Sequence, residues 1–336
     1  MTLRFVAVVL LVCTSVGGSA VPAAAWNGPG HMLVALIAHD QMNDAARDKA
    51  GELLRAHPRF EAHFTRLMPR YISPKNEQRK AQWEFAHAGT WPDLVRDTGR
   101  TVDREDVNRF NRPFWHYINE AVFLNDAERR KLEPRLKLYN NPVPPDDQDE
   151  PTMNIIQAFK NSSRIVRNPN APAELRSVHL CWLIHLAGDS HQPLHAASLY
   201  TSNRFPRGDE GGNMLEIEHN WKLHAFWDEQ VCKQDDFGTL QTIAANLVKN
   251  EQKAAIGRKA AASVDIETWI KESNAHAKRT AYSDELLQKV ASREDHSHLG
   301  PLELSAEYRS AAEALAERRA VEAGFRLGKL LNELLK

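Results

Sequence analysis

The sequence predicts an all-α fold organised as a single domain. Apolar residues recur at helical spacing through long stretches, and no segment alternates polar and apolar residues over the length of a strand. The stretch at 305–335 is rich in Ala and Leu and amphipathic, which is typical of a long helix packed on a core. A chain of 336 residues is long enough to bury a sizeable core.

Helical periodicity places the individual helices, and Pro, Gly and Asn residues bound them. The first helical stretch breaks near Asn43, and the stretch at 172–189 is apolar enough to lie at the centre of the core. The glycine-rich segment at 205–213 is expected to be mobile. The predicted helices are 31–57, 77–85, 153–166, 172–189, 266–289 and 305–335, and the predicted loops are 100–114, 140–151 and 205–213.

The first 25 residues carry the features of a signal peptide. Arg4 supplies a short basic region, residues 5–12 are apolar, and three alanines at 23–25 form a small-residue cleavage site. The apolar run is too short to span a bilayer, which disfavours the alternative of a membrane anchor. We expect cleavage after Ala25, a secreted or periplasmic protein, and a folded domain at 26–336. Cleavage would give Trp26 a free α-amino group, whose pKa of roughly 8 allows it to bind a metal.

The charge balance limits how the chain can hold a polyanion. Its formal charge is −1, and the loss of Arg4 with the signal leaves about −2. The chain therefore lacks the basic surface that binds nucleic acid through its phosphates, and any such attraction must be local. Two cysteines remain after cleavage, Cys181 and Cys232. In an exported protein they can form a disulfide or stay as buried thiols, and their spacing leaves both alternatives open.

Two pairs of His and Asp residues indicate a metal centre. His185 and Asp189 are four residues apart in a predicted helix, so their side chains share one face. His224 and Asp228 repeat this spacing downstream. A neutral imidazole and a carboxylate on one face can bind the same divalent ion. Two such pairs in one chain predict a centre with several metals.

Other segments supply further candidate ligands. Imidazole and carboxylate without thiolate are typical of catalytic zinc, and about three ligand groups per ion would accommodate roughly three ions. The full set is Trp26 (through its amine and carbonyl), His31, Asp93, His116, His185, Asp189, His195, His224 and Asp228. A lone His on an apolar helix face more often packs than binds metal, and this interpretation applies to His39, His57, His63, His179, His219, His276, His296 and His298. His87 and His191 are candidates for supporting a ligand from behind.

Short motifs extend through the whole mature chain in order. They are WNGPGH at 26–31, WPDLVR at 91–96, HYIN at 116–119, HLAGDSHQPLH at 185–195, GGN at 211–213, HAFWD at 224–228 and AGFRLGKLLNELL at 323–335. With these motifs the chain resembles the zinc-dependent S1/P1 nuclease family, whose fold is shared with bacterial zinc phospholipase C. The resemblance implies a helical bundle of the phospholipase C/P1 nuclease type with three Zn²⁺ in one cleft.

The resemblance also implies how the ligands are shared among the three ions. One zinc would be held by Asp93, His116, His185 and Asp189. A second would be held by His195, His224 and Asp228. The third would be held by the Trp26 amine and carbonyl, by His31 and by Asp189, which would bridge to the first.

The implied activity is that of a secreted zinc endonuclease on single-stranded DNA and RNA, with 5′-phosphorylated products and a 3′-nucleotidase activity in addition. Zinc lowers the pKa of a bound water toward ~7, and Asp93 would orient that water or accept its proton. Arg96 matches a family arginine that contacts phosphoryl oxygens. Its alternative role is a surface salt bridge.

Base recognition is implied at two positions. Tyr117 lies where the family stacks a base on an aromatic ring, and ordinary core packing is its alternative. Asn119 replaces an aspartate with which fungal members bond the base edge, so base preference does not carry over. The segment at 196–210 departs from the compact fungal form, and Tyr200 is a candidate for the second wall of the base site.

Two other functions compete with this interpretation. A zinc phospholipase C would use the same metals on a phospholipid headgroup, but those enzymes carry Glu at the position of Asp228, and the sequence has no apolar interfacial helix. A non-catalytic zinc-binding protein is the third alternative, and it is disfavoured because every expected ligand is present. We expect a monomer without stable membrane association, whose partner is single-stranded nucleic acid or a nucleotide.

Overall fold

The computed structural model describes residues 26–72, 76–294 and 298–336, and most of the regular secondary structure there is helical. The predicted signal peptide and His296 lie outside these residues. The α-helices are α1 (Gly28–Gln41), α2 (Asp44–Arg55), α3 (Phe60–His63), α4 (Glu77–Ala88), α5 (Trp91–Leu94), α6 (Arg104–Phe110), α7 (Asp126–Leu132), α8 (Ile155–Arg167), α9 (Ala173–Asp189), α10 (Leu223–Asp228), α11 (Phe237–Lys249), α12 (Glu251–Ala260), α13 (Ile266–His276), α14 (Asp284–Ala291) and α15 (Ala306–Leu334). The predicted all-α fold is confirmed.

The centre of the fold is α9, as its composition predicts. From His179 to Asp189 every residue of this helix is buried, and the helix packs against α2, α8 and α15. Its apolar residues therefore surround the His and Asp side chains that it carries. The helix α1 packs on α15, and Gly324 permits this close approach because a Cβ there would lie 2.4 Å from Ile37 Cγ2.

Side-chain caps set many of the helix boundaries. Asn43 separates α1 from α2 at the predicted break, and its side chain accepts a hydrogen bond from the Ala46 amide. Asn154 and Gln157 form a capping box that starts α8. The predicted loop at 140–151 contains no regular helix or strand and is largely exposed.

The prediction of a loop over 100–114 is wrong. This segment contains α6 and the start of a 3₁₀ turn, Pro113–His116. The Asp103 side chain accepts a hydrogen bond from the Asp106 amide and caps α6, which has only two buried residues. With so little apolar surface, the helix leaves almost no periodic signal in the sequence.

Two small two-stranded sheets lie among the helices, although no alternation in the sequence was strong enough to predict a sheet. Strand β1 (Ala121–Phe123) pairs in parallel with β2 (Ser198–Tyr200), and β3 (Glu216–Ile217) pairs with β4 (Trp221–Lys222) in an antiparallel hairpin. Strands of two or three residues are too short to produce a recognisable alternation.

The segment at 205–213 is anchored, contrary to the prediction that it is mobile. Asp209 is fully buried, and its carboxylate accepts hydrogen bonds from the Leu199 amide, the Ser198 hydroxyl and the Tyr282 hydroxyl. Burial raises the pKa of Asp209 to about 6 despite these donors. The glycines of this segment are used for positive φ, as at Gly211 (φ 62°), and do not indicate mobility here.

The predicted helix over 266–289 is divided. It comprises α13, a wider π turn at Ala277–Ala281, and α14, which begins after the cap residue Ser283. Cys181 and Cys232 are both free and buried, so the disulfide alternative is wrong. In the part of the chain that the structure describes, no helix has both the length and the apolar composition that crossing a bilayer requires.

Candidate metal centre

Three groups of His and Asp side chains come together in the interior. Within each group, one ligand atom per residue lies within 4.8 Å of the others. The groups are His31, His185 and Asp189; Asp93, His116 and His185; and His195, His224 and Asp228. All of the predicted side-chain ligands are therefore present in these clusters, and His185 belongs to two of them.

Asp189 lies at the end of α9 and connects the first two groups. One carboxylate oxygen lies 3.0 Å from His116 Nδ1 and 3.1 Å from His185 Nε2, and the other lies 3.2 Å from His31 Nε2. The i,i+4 spacing in the sequence accounts for the pair on α9. The fully buried carboxylate thus faces three imidazoles from three different elements.

Backbone carbonyls fix the tautomers of three histidines. The Nδ1 atoms of His185, His195 and His224 each lie 2.7 Å from a carbonyl oxygen, those of Gly89, His116 and Gly211 respectively. A carbonyl can only accept, so each Nδ1 carries the proton and donates it. Each Nε2 therefore points into the cluster, where it can bind a metal when the imidazole is neutral.

The chemistry of these donors fits a divalent cation. His195 and His224 place their Nε2 lone pairs 3.1 Å apart, which is repulsive unless a proton or a cation lies between them. A proton is disfavoured, because burial lowers the pKa of His224 to about 3 and also lowers the pKa of His195. Burial beside other carboxylates raises the pKa of Asp228 well above its usual range, and a cation would reverse that effect.

Unpaired atoms in the other two groups lead to the same conclusion. Both ring nitrogens of His31 and one oxygen of Asp189 are buried and form no hydrogen bond with the described residues, although that oxygen lies 3.2 Å from His31 Nε2. Buried polar atoms are normally paired, so such a concentration requires an explanation. Burial lowers the pKa of His31 and takes that of His116 to about 4, which leaves both rings neutral and able to bind a metal.

Asp189 and His185 each stabilise the charged form of the other. Burial disfavours charge on Asp189, but His185 and its neighbours outweigh this effect and hold the pKa of Asp189 well below its usual range. For His185, burial is likewise outweighed by Asp189 and Asp93, so the pKa of this imidazole is raised. The pair resembles an ion pair that a metal can replace.

Glycine at position 188 allows His31 to approach α9. The His31 ring stacks on the His185 ring with centroids 4.0 Å apart. A Cβ on Gly188 would lie 2.7 Å from His31 Nδ1, which is closer than real Cβ contacts. Position 188, which lies between His185 and Asp189 and faces His31, therefore requires glycine.

Trp26 is fully buried beside these groups. Its indole N–H donates to the Gly188 carbonyl at 3.0 Å, and the amide of the next residue, Asn27, donates to the Asp228 carbonyl at 3.1 Å. These bonds hold Trp26 and Asn27 against the helices α9 and α10, which carry ligands of different groups. Coordination by the Trp26 amine remains a prediction.

Asp93 lies at the more open side of the centre. Its Oδ1 is 3.9 Å from His185 Nε2 and accepts a hydrogen bond from Arg96 Nη1 at 3.1 Å. His185, His116 and other neighbouring positive groups outweigh burial and lower the pKa of Asp93, so the carboxylate is ionised. Arg96 thus forms a largely buried salt bridge with a member of the cluster, and its contact with phosphoryl oxygens remains a prediction.

Comparison with known proteins places the chain in a family. Residues 26–336 match the family described as S1/P1 Nuclease. The chain belongs to the S1/P1 nuclease family. The resemblance inferred from the sequence motifs is confirmed.

Three curated proteins illustrate this S1/P1 relationship. Endonuclease 1 of Arabidopsis thaliana is 28% identical over 163 residues, which cover 46% of this chain and 48% of the relative. Nuclease S1 of Aspergillus oryzae is 24% identical over 195 residues, covering 53% and 61%. Endonuclease 4 of A. thaliana is 34% identical over 85 residues, 24% of each chain. The chain thus spans about half the length of the first two relatives it matches.

The candidate base-binding residues of this S1/P1 family member lie next to the ligand His116. Tyr117 is half-buried, and its ring centroid lies 6.3 Å from that of the exposed Phe114. Asn119 is also half-buried and lies one residue before Glu120, whose carbonyl accepts from the Ser198 amide. The positions of both residues stay compatible with their predicted roles.

Tyr200 is not positioned as the second wall of a base site. It is 5% exposed and packs against Gly208, where a Cβ would lie 3.1 Å from its ring. An exposed residue of the same loop, Glu210, lies near Tyr117 instead and contributes to raising the pKa of Tyr117, after burial. Its φ of 57° is unusual for a residue with a side chain, and this strain could not be foreseen from the sequence.

Sequence reasoning missed two supporting residues. Gln192 donates from its amide to Asp228 Oδ1 at 2.8 Å, which orients that carboxylate. Gly211 supplies the carbonyl that holds His224, at a backbone conformation that favours glycine. Both lie inside motifs noted in the sequence, in HLAGDSHQPLH and GGN, so the motifs themselves were the available signal. His191 instead bonds the Ala187 carbonyl and Arg326, behind α9.

Proposed function

We propose that this protein is a zinc-dependent endonuclease that hydrolyses phosphodiester bonds of single-stranded DNA and RNA and leaves 5′-phosphorylated products. The observation that carries the proposal is the presence of three buried His/Asp groups, two of which share His185 and are connected through Asp189, with Arg96 beside Asp93. The family and the names of its relatives support a nuclease. A 3′-nucleotidase activity is a further part of the proposal.

The proposed ligand sets follow the three groups. Asp93, His116, His185 and Asp189 would hold one zinc. His195, His224 and Asp228 would hold another. His31, Asp189 and the amine and carbonyl of Trp26 would hold the third. When bound, zinc would act as a Lewis acid that lowers the pKa of water and neutralises phosphate charge.

The proposed metal ions would supply the positive charge for binding phosphate that the chain as a whole lacks. The protein has a formal charge of −1, so its surface does not attract a polyanion strongly. Three divalent cations against the carboxylates of Asp93, Asp189 and Asp228 would leave a local charge of about +3 with neutral histidines. The attraction for phosphate would then be confined to the reaction site.

The residues around this charge have distinct proposed roles. Asp93 is held ionised, so its carboxylate can orient the attacking water or accept its proton. Arg96 lies beside Asp93, and its guanidinium can bind phosphoryl oxygens as charge accumulates on them. Both groups act at the open side of the cluster, where a substrate can reach them.

Preference for single strands follows from the aromatic side chain next to His116. A base can stack on Tyr117 only if its own face is free, and in a duplex the neighbouring pairs cover that face. Asn119 offers an amide, which both donates and accepts, so it can bond several base edges. The proposal therefore includes tolerance of base sequence.

The proposed export and the amine ligand belong together. Removal of residues 1–25 after Ala25 would create the Trp26 amine, so a precursor would lack one ligand and be weakly active. Mass spectrometry of protein recovered from the periplasm and the medium would identify the first residue. A fully active protein that retains these residues would contradict the proposal. A monomer is expected, and light scattering would test it.

The central test measures acid-soluble nucleotides released from single-stranded and duplex DNA by protein that begins at Trp26. We expect release from single strands that a chelator abolishes and zinc restores. Asp93→Asn should abolish it, whereas Asp97→Asn should not, because Asp97 is an exposed carboxylate that bonds only its neighbour Thr98. No release by zinc-loaded protein would refute the nuclease, and phosphatidylcholine vesicles would then test the phospholipase alternative.

A further inference from the structure

Asp93 is carried by a helix of a single turn. The helix α5 spans only Trp91–Leu94, and its N-terminal residue Thr90 makes no side-chain cap bond to it. One isolated turn has little stability of its own, because few hydrogen bonds offset the ordering of its backbone. The orientation of the Asp93 carboxylate therefore depends on what anchors this turn to the rest of the protein.

The anchor is the fully buried side chain of Trp91. Its indole N–H donates to Nδ1 of His63 at 3.1 Å. An indole can only donate, so Nδ1 of His63 is the acceptor and its proton is on Nε2. That Nε2 donates to the Thr101 carbonyl at 2.9 Å and lies 3.2 Å from Asp106 Oδ2. The surroundings of His63 thus select a single tautomer.

The chain of polar contacts continues to the surface. Asp106 is 3% exposed, and its other oxygen accepts a hydrogen bond from Nε of Arg59. The chain of polar contacts therefore runs from the Arg59 guanidinium through the Asp106 carboxylate and the His63 imidazole to the Trp91 indole. Asp106 is on α6 and His63 is on α3, so the chain ties two separate helices to the turn of Asp93.

A second histidine supports the same turn from its other end. His87 Nε2 donates to the His63 carbonyl at 2.7 Å, and His87 Nδ1 lies 3.2 Å from the Thr90 hydroxyl. Thr90 immediately precedes Trp91. Two histidines that bind no predicted metal thus hold both the start of α5 and its largest side chain.

We propose that His63, linked through Asp106 to Arg59, is a positioning residue that holds the Trp91 turn and thereby sets the geometry of Asp93. The inference rests on the proposed function, in which Asp93 is both a metal ligand and the residue that orients water. Geometry at such a site must be held to a fraction of an ångström, and supporting residues typically change activity or metal affinity by about 10–100-fold.

The test compares two substitutions of similar size at one position. His63→Leu removes the acceptor for the Trp91 indole, whereas His63→Asn can place its amide oxygen where Nδ1 lies and keep that bond. The Asn side chain is too short to reach Asp106. Comparing the two variants therefore separates the effect of the bond to Trp91 from that of the contact with Asp106. We expect His63→Leu to lower kcat on bis(p-nitrophenyl) phosphate about 10–100-fold with little change in KM, and His63→Asn to recover most of it.

His57→Leu is the matched control. His57 is also buried and its ring packs edge-on against Trp91, with centroids 4.5 Å apart. The indole N–H donates to His63 instead, and His57 Nδ1 accepts from the backbone amide of Arg59, not from its guanidinium. We expect this variant to lower the thermal midpoint without lowering kcat. The same loss of kcat in His57→Leu and His63→Leu, or a wild-type kcat in His63→Leu, would overturn the proposal.

A second readout does not require activity. Co²⁺ substituted into the protein has a visible spectrum that depends on ligand geometry, and Asp93 belongs to one of the ligand groups. We expect His63→Leu to change this spectrum and His57→Leu to leave it unaltered. If wild-type protein hydrolysed no phosphodiester, the proposed function would fail while the spectra still tested the positioning role. Identical spectra in wild type and His63→Leu would refute that role.

Discussion

Replacing Gly188 with Ala should damage the centre at a defined point. A Cβ there would lie 2.7 Å from His31 Nδ1 and 2.9 Å from His31 Cε1, whereas ordinary contact begins at 3.4 Å. The ring must therefore move by 0.5 to 0.7 Å, the differences between these distances. The same Cβ would be 3.4 Å from Trp26 Cδ1, so Trp26 limits the available space on that side.

The energetic cost separates stability from function. Overpacking typically costs about 1–3 kcal/mol, and Ala in place of Gly inside a helix returns about 1 kcal/mol. The net loss of stability should thus be about 0–2 kcal/mol, and the protein should stay folded. A displaced His31 should weaken zinc binding at its group by about 10–100-fold, because ligand orientation has effects of that size.

The assay is zinc per chain as a function of free zinc, set by a competing chelator, together with thermal unfolding. We expect Gly188→Ala to lose one of its bound zinc ions at a higher free zinc concentration than wild type does, while the other zinc ions remain bound. Gly51→Ala is the matched control, since Gly51 is inside α2 and a Cβ there meets only the flexible end of Arg55 at 3.7 Å. Wild-type zinc affinity in Gly188→Ala would refute the steric argument.

Three further predictions follow from the same contacts. Gln192→Leu removes the 2.8 Å bond to Asp228 and should weaken zinc at that group about tenfold, measured by chelator competition. Burial lowers the pKa of His57 and of His179 to about 3 from 6.5. Below pH 6.5 the unfolded chain therefore binds more protons than the folded protein, and the free energy of unfolding should fall as the pH drops. An unchanged denaturant midpoint at about pH 5 would contradict this. Tyr117→Ala should raise KM for single-stranded DNA by the loss of about 1–3 kcal/mol of stacking while Tyr117→Phe stays near wild type, and equal KM values would exclude stacking.

The ligand set could be predicted because its geometry is local. His185 and Asp189, like His224 and Asp228, share a helix face by spacing alone. The first pair lies on α9, a predicted helix, whereas the second lies on α10, a short helix that the sequence analysis did not predict. The resemblance then supplied the grouping into sites. The sequence placed α9 at the centre of the core for a reason that is also local, its almost continuous apolar composition.

The supporting contacts could not be predicted because they join distant segments. The bond between Trp91 and His63 links residues 28 positions apart, and that between Gln192 and Asp228 spans 36. No periodicity or spacing encodes which carbonyl fixes a given tautomer. The expectation that a lone histidine packs in the core is correct for the burial of His63. It gives no information about the hydrogen bond that His63 accepts from Trp91.

The packing of α1 on α15 determines when the centre can form. His31 is on α1, the first described helix, and α15 is the last described helix. Chains emerge from the ribosome N-terminus first, so α1 waits for every other described helix to be synthesised before α15 exists. Asp228, whose carbonyl receives the Asn27 amide, is also synthesised late. A nascent chain therefore lacks the packing that holds His31 in the ligand set until α15 has been synthesised.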